Sequence, residues 1–179
     1  MKGIVFNLLE ECVSREHGEE TWDALLDEAD LNGAYTSLGS YDDADLLKLV
    51  AAASTSLGVD DQEVVRWFGR SALPLLADRY PDFFQQHGST RPFLLTLNEI
   101  IHPEVRKIYP GADVPTFDFN ASSDDELVMG YRSQRRLCAF GEGLIEGAAA
   151  HYGERVEIRQ PVCMRQGGDR CEFRVRLSS

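Results

Sequence analysis

The sequence predicts an α+β fold, helices first and a small antiparallel sheet last, in a single domain over residues 1–179. Up to Tyr109 the apolar residues recur at helical spacing, and after the breaker "PGADVP" at 110–115 they alternate with polar ones. Length agrees, since 179 residues make one sizeable core and are too few for two comfortable domains. A helical part is expected over about 1–80 and a helix-plus-sheet part over about 81–179.

In the first segment Val5, Leu8, Leu9, Cys12 and Val13 form one apolar stripe that ends at Gly18. A second helix covers "EETWDALLDEA", with acids in its first turn and Trp22, Leu25 and Leu26 inward. "DADLLKLVAAASTSLG" starts at an Asp cap and stops at Gly58, and "DDQEVVRWFGRSALPLLADRY" repeats the plan with Pro74 as a kink. After the polar interruption "PDFFQQHGST", one helix is expected over "RPFLLTLNEIIHPEVRKIY", with His102 on the face of Leu95 and Val105. "TFDFNAS", "ELVMGYRS", "VEIRQPVCM" and "CEFRVRLS" read as half-buried strands, with the helix "RRLCAFGEGLIEGAAAHYG" between the second and third.

The 18 Lys and Arg against 30 Asp and Glu give a net charge of −12, which repels phosphate backbones and argues against nucleic acid as a partner. The apolar runs fall short of a membrane span and the first residues lack a cleavage site, so a cytoplasmic protein is expected. The four cysteines are too few and too dispersed for a secreted disulfide scaffold, which makes them free thiols or metal ligands. The chain has no GxSxG, P-loop, HExxH or convincing carboxylate pair, and the Asp pairs starting at 42, 60 and 124 read as loop or cap acids. No enzyme is expected.

Three groups of residues could carry chemistry. His102 sits on an apolar helical face, where a neutral imidazole suits a buried iron or zinc, though a hydrogen-bonded core histidine is the commoner case. On an extended strand Tyr131, Ser133 and Arg135 of "YRSQR" point to one side, two hydroxyls and a guanidinium suited to carboxylates or phosphate; a solvated sheet face is the plainer reading. A hairpin could bring Cys163 and Cys171 together beneath the helix bearing Cys138, although the spacing is not that of a zinc knuckle.

Taken jointly, "MKGIVFNLLE", "EIIHPEV", "VP" at 114–115, "YRSQR" and "GLIEGAAAHY" resemble the heme nitric oxide/oxygen binding (H-NOX) family, free-standing in bacteria and N-terminal in the soluble guanylate cyclase β subunit. The resemblance runs in order over essentially the whole chain. It implies a heme b between the helical part and the sheet. His102 matches the iron ligand, Tyr131, Ser133 and Arg135 the triad that grips the heme propionates, and Pro115 the proline that presses on the porphyrin. Val5, Leu9, Ala72, Leu76 and Phe140 match the lining of the gas side, with Phe140 where oxygen-binding members carry a tyrosine. None of these five donates a hydrogen bond from its side chain, so the resemblance implies a five-coordinate ferrous heme that binds NO and CO and discriminates against O2.

The resemblance further implies signalling through release of His102 and a shift of the two parts, with a histidine kinase or a cyclic-di-GMP enzyme as partner. Some members hold zinc on three cysteines and a histidine. Cys138, Cys163 and Cys171 match the thiolates, but Gln160 stands where the histidine would be. An amide oxygen is a poor zinc ligand beside three thiolates, which leaves a weaker zinc site, an empty one or a thiol switch as alternatives. The competing assignment is a heme-free module similar to vinyl-reductase-type domains that bind small hydrophobic molecules, which leaves His102 and the N-terminal helices unexplained.

Overall fold

The structure, a computed structural model, describes residues 1–121, 123 and 125–178. Ser122, at the end of the first expected strand, and Asp124, of the third acidic pair, lie outside the described residues. Four helices come first: α1 (Gly3–His17), α2 (Glu19–Ala29), α3 (Asp43–Leu57) and α4 (Asp61–Arg79). Asp42 and Asp60 cap α3 and α4, their carboxylates accepting from the N–H groups of Ala44 at 2.9 Å and Gln62 at 2.8 Å. Both caps lie ahead of the helical segment, so the α3 cap is one residue earlier than the sequence suggested. Gly58 closes α3 with φ 66°, a left-handed conformation that costs glycine nothing.

Two departures follow. The supposed polar interruption contains a short helix, α5 (Pro81–Phe84), because Phe84 finds a buried place against Phe93. The expected helix over 91–109 is three pieces: α6 (Thr90–Leu95), a π-helical turn (Leu97–Ile101) and α7 (His102–Ile108). Pro103, which has no N–H to donate, sits in the first turn of α7, where no donor is needed. Just before it the chain widens, with both Ile100 and Ile101 donating to the Thr96 carbonyl, at 2.9 and 3.1 Å.

The sheet has the order β1-β2-β4-β3, all neighbours antiparallel, from β1 (Thr116–Asn120), β2 (Leu127–Arg132), β3 (Arg155–Val162) and β4 (Cys171–Ser178). The register of β3 against β4 slips between Arg159 and Val162, a bulge that holds Gln160 and the donorless Pro161. Helix α8 (Cys138–His151) covers the inner face, where Met129, Tyr131, Cys171, Phe173 and Val175 are buried.

Two cores result. One lies among α1–α4 around Phe6, Leu49 and Phe68, and the other between α8, α6 and the sheet around Met129 and Phe173. Helices α4 and α8 join them at backbone contact. A Cβ on Gly69 would stand 2.3 Å from the Phe140 carbonyl oxygen, and one on Gly143 2.0 Å from that of Arg66. Among the described residues no helix is long and apolar enough to cross a membrane.

Candidate functional site

Between the two cores lies an apolar cavity of about 320 Å³. Helix α7 and the π turn form one wall, with Leu97, Ile101, His102, Val105 and Ile108 facing in. The widened turn keeps His102 on this wall, and Leu95 instead packs into the sheet-side core. His102 lies against Phe117, ring centroids 5.7 Å apart, and its Nδ1 is buried with no hydrogen-bond partner among the described residues. Burial, aided by the Arg106 charge and opposed by the Pro115 backbone, lowers the imidazole to about 4. The ring is therefore neutral at physiological pH and keeps a lone pair.

Tyr131, Ser133 and Arg135 all border the cavity, but not as one extended strand. Strand β2 ends at Arg132, and residues 134–135 form a turn in which the Ser133 carbonyl accepts from Arg136 N–H at 3.2 Å. Arg136 has φ 52° and precedes α8 rather than starting it. The turn brings Arg135 to the cavity edge, where its Nε donates to Asp43 at 2.8 Å and its terminal nitrogen to the Asp113 carbonyl at 2.6 Å and carboxylate at 3.0 Å. Burial raises the Asp43 carboxyl, but the Met1 ammonium and Arg135 more than offset this and hold it below the ordinary range. Burial pushes the Tyr131 phenol up to about 12, with Ser133 opposing, so it stays a donor.

Pro115, Val5, Leu76 and Phe140 line the cavity. Leu9 and Ala72 belong to the helical core instead, and Ile4, Leu8 and Leu73 occupy the wall beside them. Phe140 rests on Phe68, ring centroids 4.9 Å apart. Sequence reasoning missed Tyr80 and Tyr109, whose hydroxyls are hydrogen-bonded to each other on the cavity wall. Both stand at helix ends, where apolar periodicity carries no signal.

Cys138, Cys163 and Cys171 converge, all buried, with their sulfurs within 4.8 Å of one another. Cys171 Sγ accepts from Met164 N–H at 3.3 Å, and burial together with the neighbouring thiols raises its thiol to about 12. Gln160 sits at the bulge beside them, its Nε2 buried without a partner. Cys12 lies apart in the helical core.

The sequence model described as haem-NO-binding matches residues 2–160. The chain belongs to this family. An H-NOX protein from S. oneidensis, solved in the Fe(II)NO ligation state, is 31% identical and superposes with a TM-score of 0.93, covering 100% of both chains. The NMR structure of an H-NOX domain from Shewanella oneidensis in the Fe(II)CO state is 31% identical, TM-score 0.90, over 100% of this chain and 99% of that one. An unliganded Fe(II) H-NOX protein from K. algicida is 28% identical, TM-score 0.88, over 100% and 97%. Soluble guanylate cyclase 89Db of Drosophila melanogaster is 25% identical over 137 residues, 75% of this chain, and the chain spans only 20% of that relative's length. H-NOX domains bind heme and form a family of gas sensors, with members solved bound to NO and to CO.

Proposed function

We propose that this H-NOX chain holds a heme b in the cavity between its two cores and uses it to sense NO, with CO as a second ligand. One observation carries the assignment: a neutral His102 on the cavity wall with a buried, unpartnered ring nitrogen. Such a group is costly unless something in the cavity uses the ring. The apolar walls suit a porphyrin, and Tyr131, Ser133 and Arg135 at one edge suit its two carboxylates.

When bound, the heme supplies a ferrous iron open to a diatomic gas. His102 would hold the iron from the α7 side and Pro115 would lie against the ring, while Arg135 is kept in place by Asp43 and Asp113. Val5, Leu76 and Phe140 would exclude water and offer no side-chain donor, which would disfavour O2, a ligand that needs a hydrogen-bond donor to be held. Loosening of His102 would free α7 and let the helical half move relative to the sheet, a two-state element that the gas would bias. The likeness to one fifth of a guanylate cyclase supports a regulatory role without turnover of its own. The reader of that movement is then a separate signalling enzyme, a histidine kinase or a cyclic-di-GMP enzyme. A Soret band in the purified protein that shifts with dithionite and again with NO is expected, along with its loss or weakening in His102→Gly. Absence of any Soret band after heme reconstitution would overturn the reading.

The three thiols support a second, structural role as a zinc site. Zinc–thiolate bonds of about 2.3 Å in a tetrahedron place sulfurs about 3.8 Å apart, and Cys138 and Cys163 are separated by 3.8 Å. Gln160 fills the neighbourhood of the fourth position with an amide. About one equivalent of zinc is expected in protein purified without added metal; three reactive thiols and no zinc would show the cluster to be a thiol site.

A further inference from the structure

The π turn and α7 contain no fully buried residue, so packing alone holds the His102 segment weakly. Two polar attachments flank it. On the N-terminal side, Asn98 donates to the Phe117 carbonyl at 2.6 Å and accepts from the Phe117 N–H at 3.2 Å, which fastens the π turn to β1. On the C-terminal side stands Tyr109, buried, its hydroxyl bonded to that of Tyr80. Tyr80 is the cap of α4, its N–H donating to the Leu76 carbonyl at 2.9 Å, and Leu76 also lines the cavity. Lys2 also reaches the Pro110 carbonyl at 3.1 Å, but through an exposed ammonium that water competes for.

We propose that the Tyr80–Tyr109 hydroxyl bond tethers the His102 helix to α4, making both tyrosines positioning residues for His102. The segment is then suspended across the cavity, one end on the sheet and the other on the helical half. Burial and the Tyr80 hydroxyl hold the Tyr109 phenol above the ordinary tyrosine range, so Tyr109 keeps its proton through physiological pH. Loss of either hydroxyl leaves the other without its partner in an apolar wall, which loosens α7 at the end remote from the Asn98 clamp.

The inference rests on His102 as iron ligand, and its test separates the two. Heme-loaded ferrous wild type, Tyr80→Phe, Tyr109→Phe and the double variant are compared by amide hydrogen exchange and by the iron–histidine stretching band in resonance Raman spectra. Amides 106–109 are expected to exchange roughly five- to tenfold faster in each single variant, and no faster than that in the double, while α1 is unchanged. The stretching band should move to lower frequency in all three. Phenylalanine conserves the ring, and should one variant fail to fold, the other reads the same bond. Unchanged exchange, single effects that add in the double, or faster exchange with an unmoved band would overturn the tether. A wild type with no iron–histidine band would instead remove the role given to His102, while exchange still decides whether the tether exists.

Discussion

A buried ring nitrogen without a partner costs on the order of 1–3 kcal/mol, and His102 carries one on the wall of the apolar cavity between the two cores. The sequence could nominate this residue but not its environment, since helical spacing says nothing of hydrogen-bond satisfaction. Phe140 is the complementary case: an apolar ring on the same cavity, packed on Phe68, with no group to stabilise a polar ligand. Adding one hydroxyl there by Phe140→Tyr supplies the missing donor. A hydrogen bond worth about 1–3 kcal/mol raises oxygen affinity roughly 5- to 150-fold, so an oxy spectrum should persist in air where the wild type shows none. A variant indistinguishable from wild type in its response to O2 would show that the ring edge of residue 140 does not face the gas.

At the scale of elements, the crossing of α4 and α8 is the firmest joint in the molecule. Gly69 and Gly143 let the backbones touch, and Arg66 spans the crossing, donating from Nε to Glu146 at 2.9 Å and lying 3.5 Å from Glu142. In Gly143→Ala the new methyl would meet the Arg66 carbonyl, so the helices must separate. A loss of about 1–3 kcal/mol is expected, read as a lower denaturant midpoint, and an unchanged midpoint would mean that the contact yields freely. The joint was hidden in the sequence, because glycines inside helical patterns look like defects until the partner backbone is known. The strands and the first four helices were legible, since alternation and capping are local. The π turn was not: Pro103 signals a break, yet whether the chain kinks, widens or ends depends on what His102 must face. Tyr131, Ser133 and Arg135 of "YRSQR" do border the cavity, but through a turn at 134–135 and not along the extended strand that was expected.

For the whole molecule, two cores meet across a space that protein side chains leave unfilled, and the helix that borders it is fastened chiefly at its two ends. A ligand that fills the space adds apolar contact to both cores at once and restrains the segment between them. Because only the folded state has this cavity, binding shifts the unfolding equilibrium by mass action. At a free heme concentration of 100 times the dissociation constant the gain is about 2.7 kcal/mol. For a chain of 179 residues each kcal/mol moves the midpoint by about 2–4 °C, so heme should raise Tm by roughly 5–11 °C under those conditions. The rise should grow with the logarithm of free heme and shrink in His102→Gly, which keeps the cavity but loses the iron contact. Calorimetry of the heme-free protein titrated with hemin measures this directly. A midpoint indifferent to heme, in a protein whose unliganded fold is intact, would mean that the cavity closes by itself and that the two cores do not depend on a guest.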